Sequence, residues 1–204
     1  MHGDPATRSP HALRPATFLD RDGVINLDHG YVAQRAAFEW VPGVRAAAAQ
    51  LHAAGYALVV VTNQSGIGRG LYDEAAFASL TDWMRGEFAA AGAPLAGVYF
   101  CPHHPTEAVG AWRRECTCRK PAPGLLLQAA RDLGLDLARS LLFGDRGSDL
   151  QAAQAAGVPR RVLLATDGAG EPAAVSAGLA THRFRSLADA VASMDLRAAL
   201  VPTV

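Results

Sequence analysis

A chain of 204 residues in which Lys plus Arg equals Asp plus Glu, 19 of each, has no net field to draw it onto nucleic acid or an anionic membrane. Half of its residues are hydrophobic and only 7% are aromatic, which suits one densely packed helix-and-sheet core and excludes global disorder. Its three cysteines, Cys101, Cys116 and Cys118, crowd into one short segment, a pattern for metal binding rather than a disulfide framework.

Residues 1–14 mix His, Pro, Arg and Ser without periodicity and read as a flexible leader. That stretch lacks the apolar core of a signal peptide, and the run Tyr56–Val61 is too short to span a bilayer, so the expected location is cytoplasmic. A first strand is predicted through Ala16–Leu19, ending where Asp20 begins a polar run, followed by a polar loop at Asp28-His29-Gly30-Tyr31. Pro42 and Gly43 punctuate the entry to a helix over Val44–Ala54. Tyr56–Val61 is a continuous apolar strand of the kind buried on both faces, and it runs into a polar, glycine-rich loop over 62–70. A long helix follows from Asp73, its cap, through Ala91.

Gly97–Phe100 reads as the third strand, and 101–118 as its unusual connection. Next come a helix over Pro123–Leu133, a strand over Ser140–Phe143, a helix over Asp149–Ala156 and a strand over Arg161–Ala165. The tail predicts helices over Glu171–Leu179 and Leu187–Ser193, with a short edge strand at Arg183–Arg185 between them. Strands alternating with helices indicate a three-layer, Rossmann-like α/β fold with a mostly parallel sheet, one domain over residues 15–200.

Three polar clusters each follow a predicted strand: Asp20 to Asp22, Thr62-Asn63, and Gly144-Asp145 through Asp149. In an open α/β sheet such strand ends converge on one crevice. Carboxylates gathered there repel unless a cation offsets them, and a hard divalent ion such as Mg2+ is the natural solution. Asp20 and Asp22 are two apart, so on extended backbone they point the same way; one can attack phosphorus while the other reaches the leaving oxygen. Thr62 and Asn63 supply neutral donors for phosphate oxygens, and Lys120 a cation for their charge. Alone, Asp-x-Asp-Gly is also a common turn and Thr62 a helix cap; only their ordered company separates the readings. Cys101-Pro102-His103-His104 and Cys116-Thr117-Cys118 form two ligand pairs able to close a tetrahedron around a structural Zn2+.

Phe18-Leu19-Asp20-Arg21-Asp22-Gly23-Val24-Ile25-Asn26, the run 61–70, Cys118-Arg119-Lys120-Pro121 and Gly144-Asp145-Arg146-Gly147-Ser148-Asp149 together resemble the four ordered motifs of the haloacid-dehalogenase superfamily. Within it they are similar to the branch of heptose bisphosphate phosphatases and histidinol-phosphatase domains. The resemblance implies that Asp20 is a nucleophile forming an aspartyl-phosphate and that Asp22 is the general acid and then base. It implies Mg2+ on the Asp20 carboxylate, the Asp22 backbone carbonyl and Asp145, with Asp149 in the outer shell. Thr62, Asn63 and Lys120 would hold the transferring phosphate, with Gln64 from the same motif on the substrate and Arg119 on the sugar or its second phosphate. Zinc is implied on Cys101, His103, Cys116 and Cys118, leaving His104 outside. Asp28-His29-Gly30-Tyr31 looks like the heptose branch, which implies Asp28, His29 and Tyr31 on the substrate and loss of the C7 phosphate from D-glycero-D-manno-heptose 1,7-bisphosphate, with histidinol phosphate the alternative. Arg146, also expected on the substrate, stands where the family often has Lys, a change of reach and hydrogen-bond geometry.

The spacing between motifs leaves no room for a large cap domain, so an open cleft and a small phosphorylated sugar are expected. A zinc nucleic-acid module using Arg113, Arg114, Arg119 and Lys120 is the rival class. The neutral charge balance and the scarcity of aromatics around the cluster weigh against it, and it leaves Asp20, Asp22 and Asp145 unexplained. Gly66, Gly68 and Gly70 lack the full ATP-loop pattern, so no nucleotide cofactor is expected. Without an obvious exposed apolar run, the expected state is a monomer.

Overall fold

The computed structural model describes residues 13–165 and 178–196. Six parallel strands form one sheet in the order β3-β2-β1-β4-β5-β6. They are β1 (Arg14–Leu19), β2 (Ala57–Asn63), β3 (Leu95–Cys101), β4 (Leu135–Gly144), β5 (Arg160–Leu164) and β6 (His182–Phe184). The helices are α1 (Val44–Ala53), α2 (Ser65–Gly68), α3 (Glu74–Ala90), α4 (Gly124–Leu133), α5 (Gly147–Ala155) and α6 (Leu187–Ser193).

The alternation along β2 builds the layers. Leu58 and Val60 point to one face, where they join apolar residues of α1, α3 and α6; Val59 and Val61 point to the other, toward α4 and α5. Both faces are therefore covered, which is why this strand reads as an unbroken apolar run. Asp73 caps α3 as expected, its side chain accepting from the Ala76 N–H at 2.7 Å. Trp40 and Trp83 pack in an aromatic cluster with Phe38 and Phe88, with no sign of a role beyond packing.

Several elements depart from expectation. β4 begins at Leu135, ahead of the predicted Ser140, because Leu135 and Asp136 pair with Arg14 and Pro15 before the register shifts. At that shift Ser140 bridges the ladder: its Oγ accepts from the Ala16 N–H at 2.8 Å and donates to the Asp136 carbonyl at 2.5 Å. The predicted glycine-rich loop is partly ordered, since β2 runs on through Asn63 and α2 follows at once. Its glycines serve close packing: a Cβ on Gly68 would stand 2.3 Å from the Pro102 carbonyl oxygen, and one on Gly66 2.2 Å from the Tyr72 ring.

β1 also begins at Arg14, inside the expected leader, whereas residues 1–12 and most of the predicted helix Glu171–Leu179 lie outside the described residues. Between β1 and α1, and between β3 and α4, the chain holds only single short 3-10 turns, so the cleft at the strand ends is capless. Among the described residues, no helix is long and apolar enough to cross a membrane.

Candidate active site

β1 lies between β2 and β4, and the carboxyl ends of these three strands meet at a cleft of about 540 Å³. Strand order reverses here, which leaves a crevice that no crossover helix fills. Asp20 leaves β1 with its N–H donating to the Phe143 carbonyl at 3.0 Å, so the sheet itself aims the carboxylate. Gly23 then turns the chain at a φ of 85°, and a Cβ there would meet Asp145 Oδ2 at 2.3 Å. Only glycine lets the loop after β1 lie against the end of β4.

Lys120 is buried at the bottom of the cleft. Its Nζ donates to Asp20 Oδ1 at 2.8 Å and to the Val61 carbonyl at 2.9 Å, and stands 2.5 Å from Asp149 Oδ1. Burial would make this ammonium easier to deprotonate, but the Asp149 and Asp20 charges outweigh it and hold its pKa above the usual lysine value. The carboxylates carry the opposite strain. Burial pushes Asp20 up to about 6, with Lys120 pulling down and Asp149 pushing up. Burial, then the charges of Asp20 and Asp149, push Asp145 up to about 8.

Oxygens of Asp20, Asp145 and Asp149 lie within 4.8 Å of one another. Asp145 Oδ1 is buried with no hydrogen-bond partner among the described residues. An all-oxygen donor set with one orphaned carboxylate oxygen fits a hard divalent cation, which would replace the protons this cluster otherwise holds. Asp149 has further duties, since its Oδ2 also accepts from the Arg146 N–H at 3.1 Å.

Asp22 is held from three sides. Arg21 Nη2 donates to both of its oxygens at 2.9 and 3.0 Å, Asn26 Nδ2 to Oδ1 at 3.0 Å, and Gln64 Nε2 to Oδ2 at 3.0 Å. Arg21 is only 1% exposed, and its Nη2 also donates to the Val32 carbonyl at 2.7 Å. In the sequence Arg21 reads only as the spacer between two aspartates. The available signal was a charged residue caught between the strand Ala16–Leu19 and the apolar pair Val24-Ile25, where a cation needs a partner. Asn26, Arg69 and Tyr72 were likewise not singled out, yet Arg69 and Tyr72 line the cleft.

The remaining expected substrate residues divide. Thr62, Gln64, Asp28, Tyr31, Arg119 and Arg146 all line the cleft. His29 does not: it is exposed, and its Nε2 pairs with Glu39 Oε2 at 3.1 Å. Asn63 lines the cleft, but its amide is committed elsewhere, donating to the Lys120 carbonyl and accepting from the Lys120 N–H, both at 3.0 Å. It is a clamp on the segment that carries Lys120. Arg146 reaches Asp28 Oδ2 at 2.8 Å, which ties the loop after β4 to the loop after β1.

Next to the cleft, Cys101 at the end of β3 gathers His103, Cys116 and Cys118. The sulfurs stand 3.5, 3.1 and 3.3 Å apart, and His103 Nδ1 lies 3.6 Å from Cys101 Sγ and 3.4 Å from Cys118 Sγ. A tetrahedral Zn2+ with bonds of about 2.3 Å to sulfur and about 2.0 Å to nitrogen has sulfur–nitrogen edges of roughly 3.5 Å, which this set matches, and sulfur–sulfur edges of roughly 3.8 Å, inside which these sulfurs already sit. His104 turns away, its Nδ1 accepting from the Glu107 N–H at 3.0 Å. The cage is stapled to the catalytic strand ends. Arg119 N–H points to Cys116 Sγ at 3.4 Å, Arg119 Nη1 donates to the His103 carbonyl at 3.2 Å, and the Val109 N–H donates to the Gly68 carbonyl at 2.8 Å.

Comparison with known proteins accounts for this arrangement. D-glycero-beta-D-manno-heptose-1,7-bisphosphate 7-phosphatase of Vibrio cholerae serotype O1 is 50% identical over 153 residues, 75% of this chain and 82% of the relative. The Escherichia coli K12 protein of that name is 50% identical over 175 residues, 86% of this chain and 91% of its own. The chain belongs to this phosphatase family. Residues 117–192, the stretch that carries Lys120, Asp145 and Asp149, also match the HAD-hydrolase-like family model. A crystal structure of the D,D-heptose 1,7-bisphosphate phosphatase from B. bronchiseptica, complexed with magnesium and phosphate, is 34% identical, covers 87% of this chain and 96% of its own, and superposes with a TM-score of 0.74.

Proposed function

We propose that this chain is a Mg2+-dependent phosphatase that removes the C7 phosphate of D-glycero-D-manno-heptose 1,7-bisphosphate. The family relationship supports the substrate, and one observation carries the chemistry. Asp20 faces the cleft against Lys120 at 2.8 Å, while Asp22, two residues on, is held by three separate donors.

An Asp20 oxygen attacks phosphorus, and the bond from phosphorus to the C7 oxygen breaks with its electron pair on that oxygen. Asp22 gives the departing oxygen its proton. The aspartyl-phosphate is then attacked by water, from which Asp22 takes a proton, and inorganic phosphate leaves as Asp20 is restored. Lys120 and the Thr62 hydroxyl face the phosphoryl oxygens and offset their charge. The Asp20 and Asp145 carboxylates, with the Asp22 carbonyl and Asp149 nearby, would hold Mg2+, which when bound neutralises charge on the phosphoryl group. Arg119, Arg146 and Tyr31, at the mouth of the cleft, suit the sugar and its second phosphate.

Zn2+ on Cys101, His103, Cys116 and Cys118 has a structural role, ordering the segment that delivers Arg119 and Lys120. The same reading includes a monomeric, cytoplasmic enzyme with one domain over residues 15–200.

The test is phosphate release with Mg2+ from heptose 1,7-bisphosphate, fructose bisphosphate, histidinol phosphate and a 3′-phosphorylated oligonucleotide. The heptose substrate should be turned over with the highest kcat/KM, and Asp20→Asn should abolish release. Equal rates on all four sink the substrate assignment; a fully active Asp20→Asn protein sinks the mechanism.

A further inference from the structure

Gln64 is buried at the exit of β2, and its whole side-chain amide is committed inside the protein. Nε2 donates to Asp22 Oδ2 at 3.0 Å and to Thr62 Oγ1 at 2.8 Å, and Oε1 accepts from the Tyr72 hydroxyl at 2.5 Å. The orientation of the amide follows from its partners. Asp22 Oδ2 already accepts from Arg21 Nη2 at 3.0 Å, so the amide nitrogen faces it and the amide oxygen is left needing a donor. Tyr72 supplies that donor. Its hydroxyl stays protonated at neutral pH, since burial pushes its pKa up to about 12, with Arg21 opposing and Asp22 adding to the rise. Its ring is seated on Gly66, where a Cβ would approach to 2.2 Å, so the hydroxyl is placed by the turn between α2 and α3.

The chain of donors has a second consequence at Thr62. Both Gln64 amide hydrogens are used, and Thr62 Oγ1 accepts one of them. The hydroxyl's own proton is thereby left to point at a phosphoryl oxygen in the cleft.

Resting on the catalytic reading above, we infer that Tyr72 is a positioning residue of this reaction. Through Gln64 it fixes Asp22 for proton transfer to the leaving oxygen and leaves the Thr62 proton free for phosphate. Without the Tyr72 hydroxyl, Gln64 Oε1 is a buried acceptor with no partner, and the amide loses the contact that holds its nitrogen on Asp22 and Thr62.

Tyr72→Phe keeps the ring on Gly66 and deletes only the hydroxyl, which makes the inference testable by leaving-group dependence. An alkyl phosphate leaves as an alkoxide and needs the Asp22 proton, whereas nitrophenyl phosphate leaves as a stable anion without it. Single-turnover cleavage of both substrates is measured in Mg2+ for the wild-type and Tyr72→Phe enzymes. The ratio of alkyl to nitrophenyl rates should fall about five- to tenfold in the variant, with KM moving less than about twofold. Gln64→Met, which cuts the same chain one link closer, should lower the ratio further and gives the same reading should Tyr72→Phe fail to fold. An equal fall on both substrates, or no change on either, overturns the role of Tyr72 alone. A wild-type enzyme that cleaves neither substrate overturns the catalytic reading and this inference with it.

Discussion

The two ligand clusters of this protein reach their geometry by opposite routes. Asp20, Asp145 and Asp149 come from the ends of β1 and β4 and the first turn of α5, so a sheet with both faces covered holds three mutually repelling carboxylates together. Cys101, His103, Cys116 and Cys118 come from one connection whose only regular element is a 3-10 turn over Gly110–Trp112, with Ala108 its buried apolar residue between the two ligand pairs. In the first cluster the fold supplies the geometry, and the cation's contribution is chemical. In the second, a Zn2+ held by these four ligands would supply the folding energy that the segment lacks. The two regions meet at Lys120, which is held by the Asn63 amide from the strand side and follows Cys118 and Arg119 from the cage side.

The largest separation between the two regions is expected from Asp20→Asn. It should lower phosphate release at least about a thousandfold, because the nucleophile is gone. The melting temperature should move by only a few degrees, since Lys120 keeps Asp149 as partner. A thousandfold loss accompanied by collapse of the melt shows instead that the acidic pocket holds up the fold. Cys118→Ser should do the reverse: zinc measured by atomic absorption drops, proteolytic cutting appears within 102–117, and turnover falls by tens of fold with the sheet intact by circular dichroism. Normal turnover in demonstrably zinc-free protein removes any catalytic need for the cage.

Asn63→Ala probes the junction. It deletes two hydrogen bonds worth about 1 kcal/mol each, so KM should rise several-fold while zinc content stays at the wild-type level. A loss of zinc shows that the clamp also holds the cage.

A further expected effect is on stability against pH in Mg2+-free buffer. Asp20 and Asp145 rise to about 6 and about 8 from 3.8, so across that window the folded state binds protons that the unfolded chain has released. Urea unfolding at pH 5 and pH 8 should therefore show stability falling as pH rises, and saturating Mg2+ should flatten the fall by binding the ionised cluster. A stability that rises with pH without Mg2+ rules out this account of the acidic pocket.

Much of this was legible in the chain itself. The unbroken apolar run Tyr56–Val61 marks a strand covered on both faces, Asp73 marks the start of α3, and the polar residues that follow β1 and β2 mark the lining of the cleft. These are properties of strand period, capping and residue type, all carried within a few neighbours in sequence. The closeness of the cysteine pairs was legible for the same reason, although the residues alone left His103 and His104 equivalent.

Partnership between distant strand ends was decided only in three dimensions. Asn63 meets Lys120 across 57 positions, Gln64 meets Asp22 across 42, and nothing local distinguishes an amide that binds phosphate from one that clamps backbone. His29 pairs with Glu39 outside the cleft, and Arg21 is buried against Asp22, although both stand in polar runs. Residue types and periods specify what each strand end can do. Which groups face the ligand and which face each other is set by the sheet order, because a buried donor or acceptor takes whatever partner the packed strand ends bring within about 3 Å.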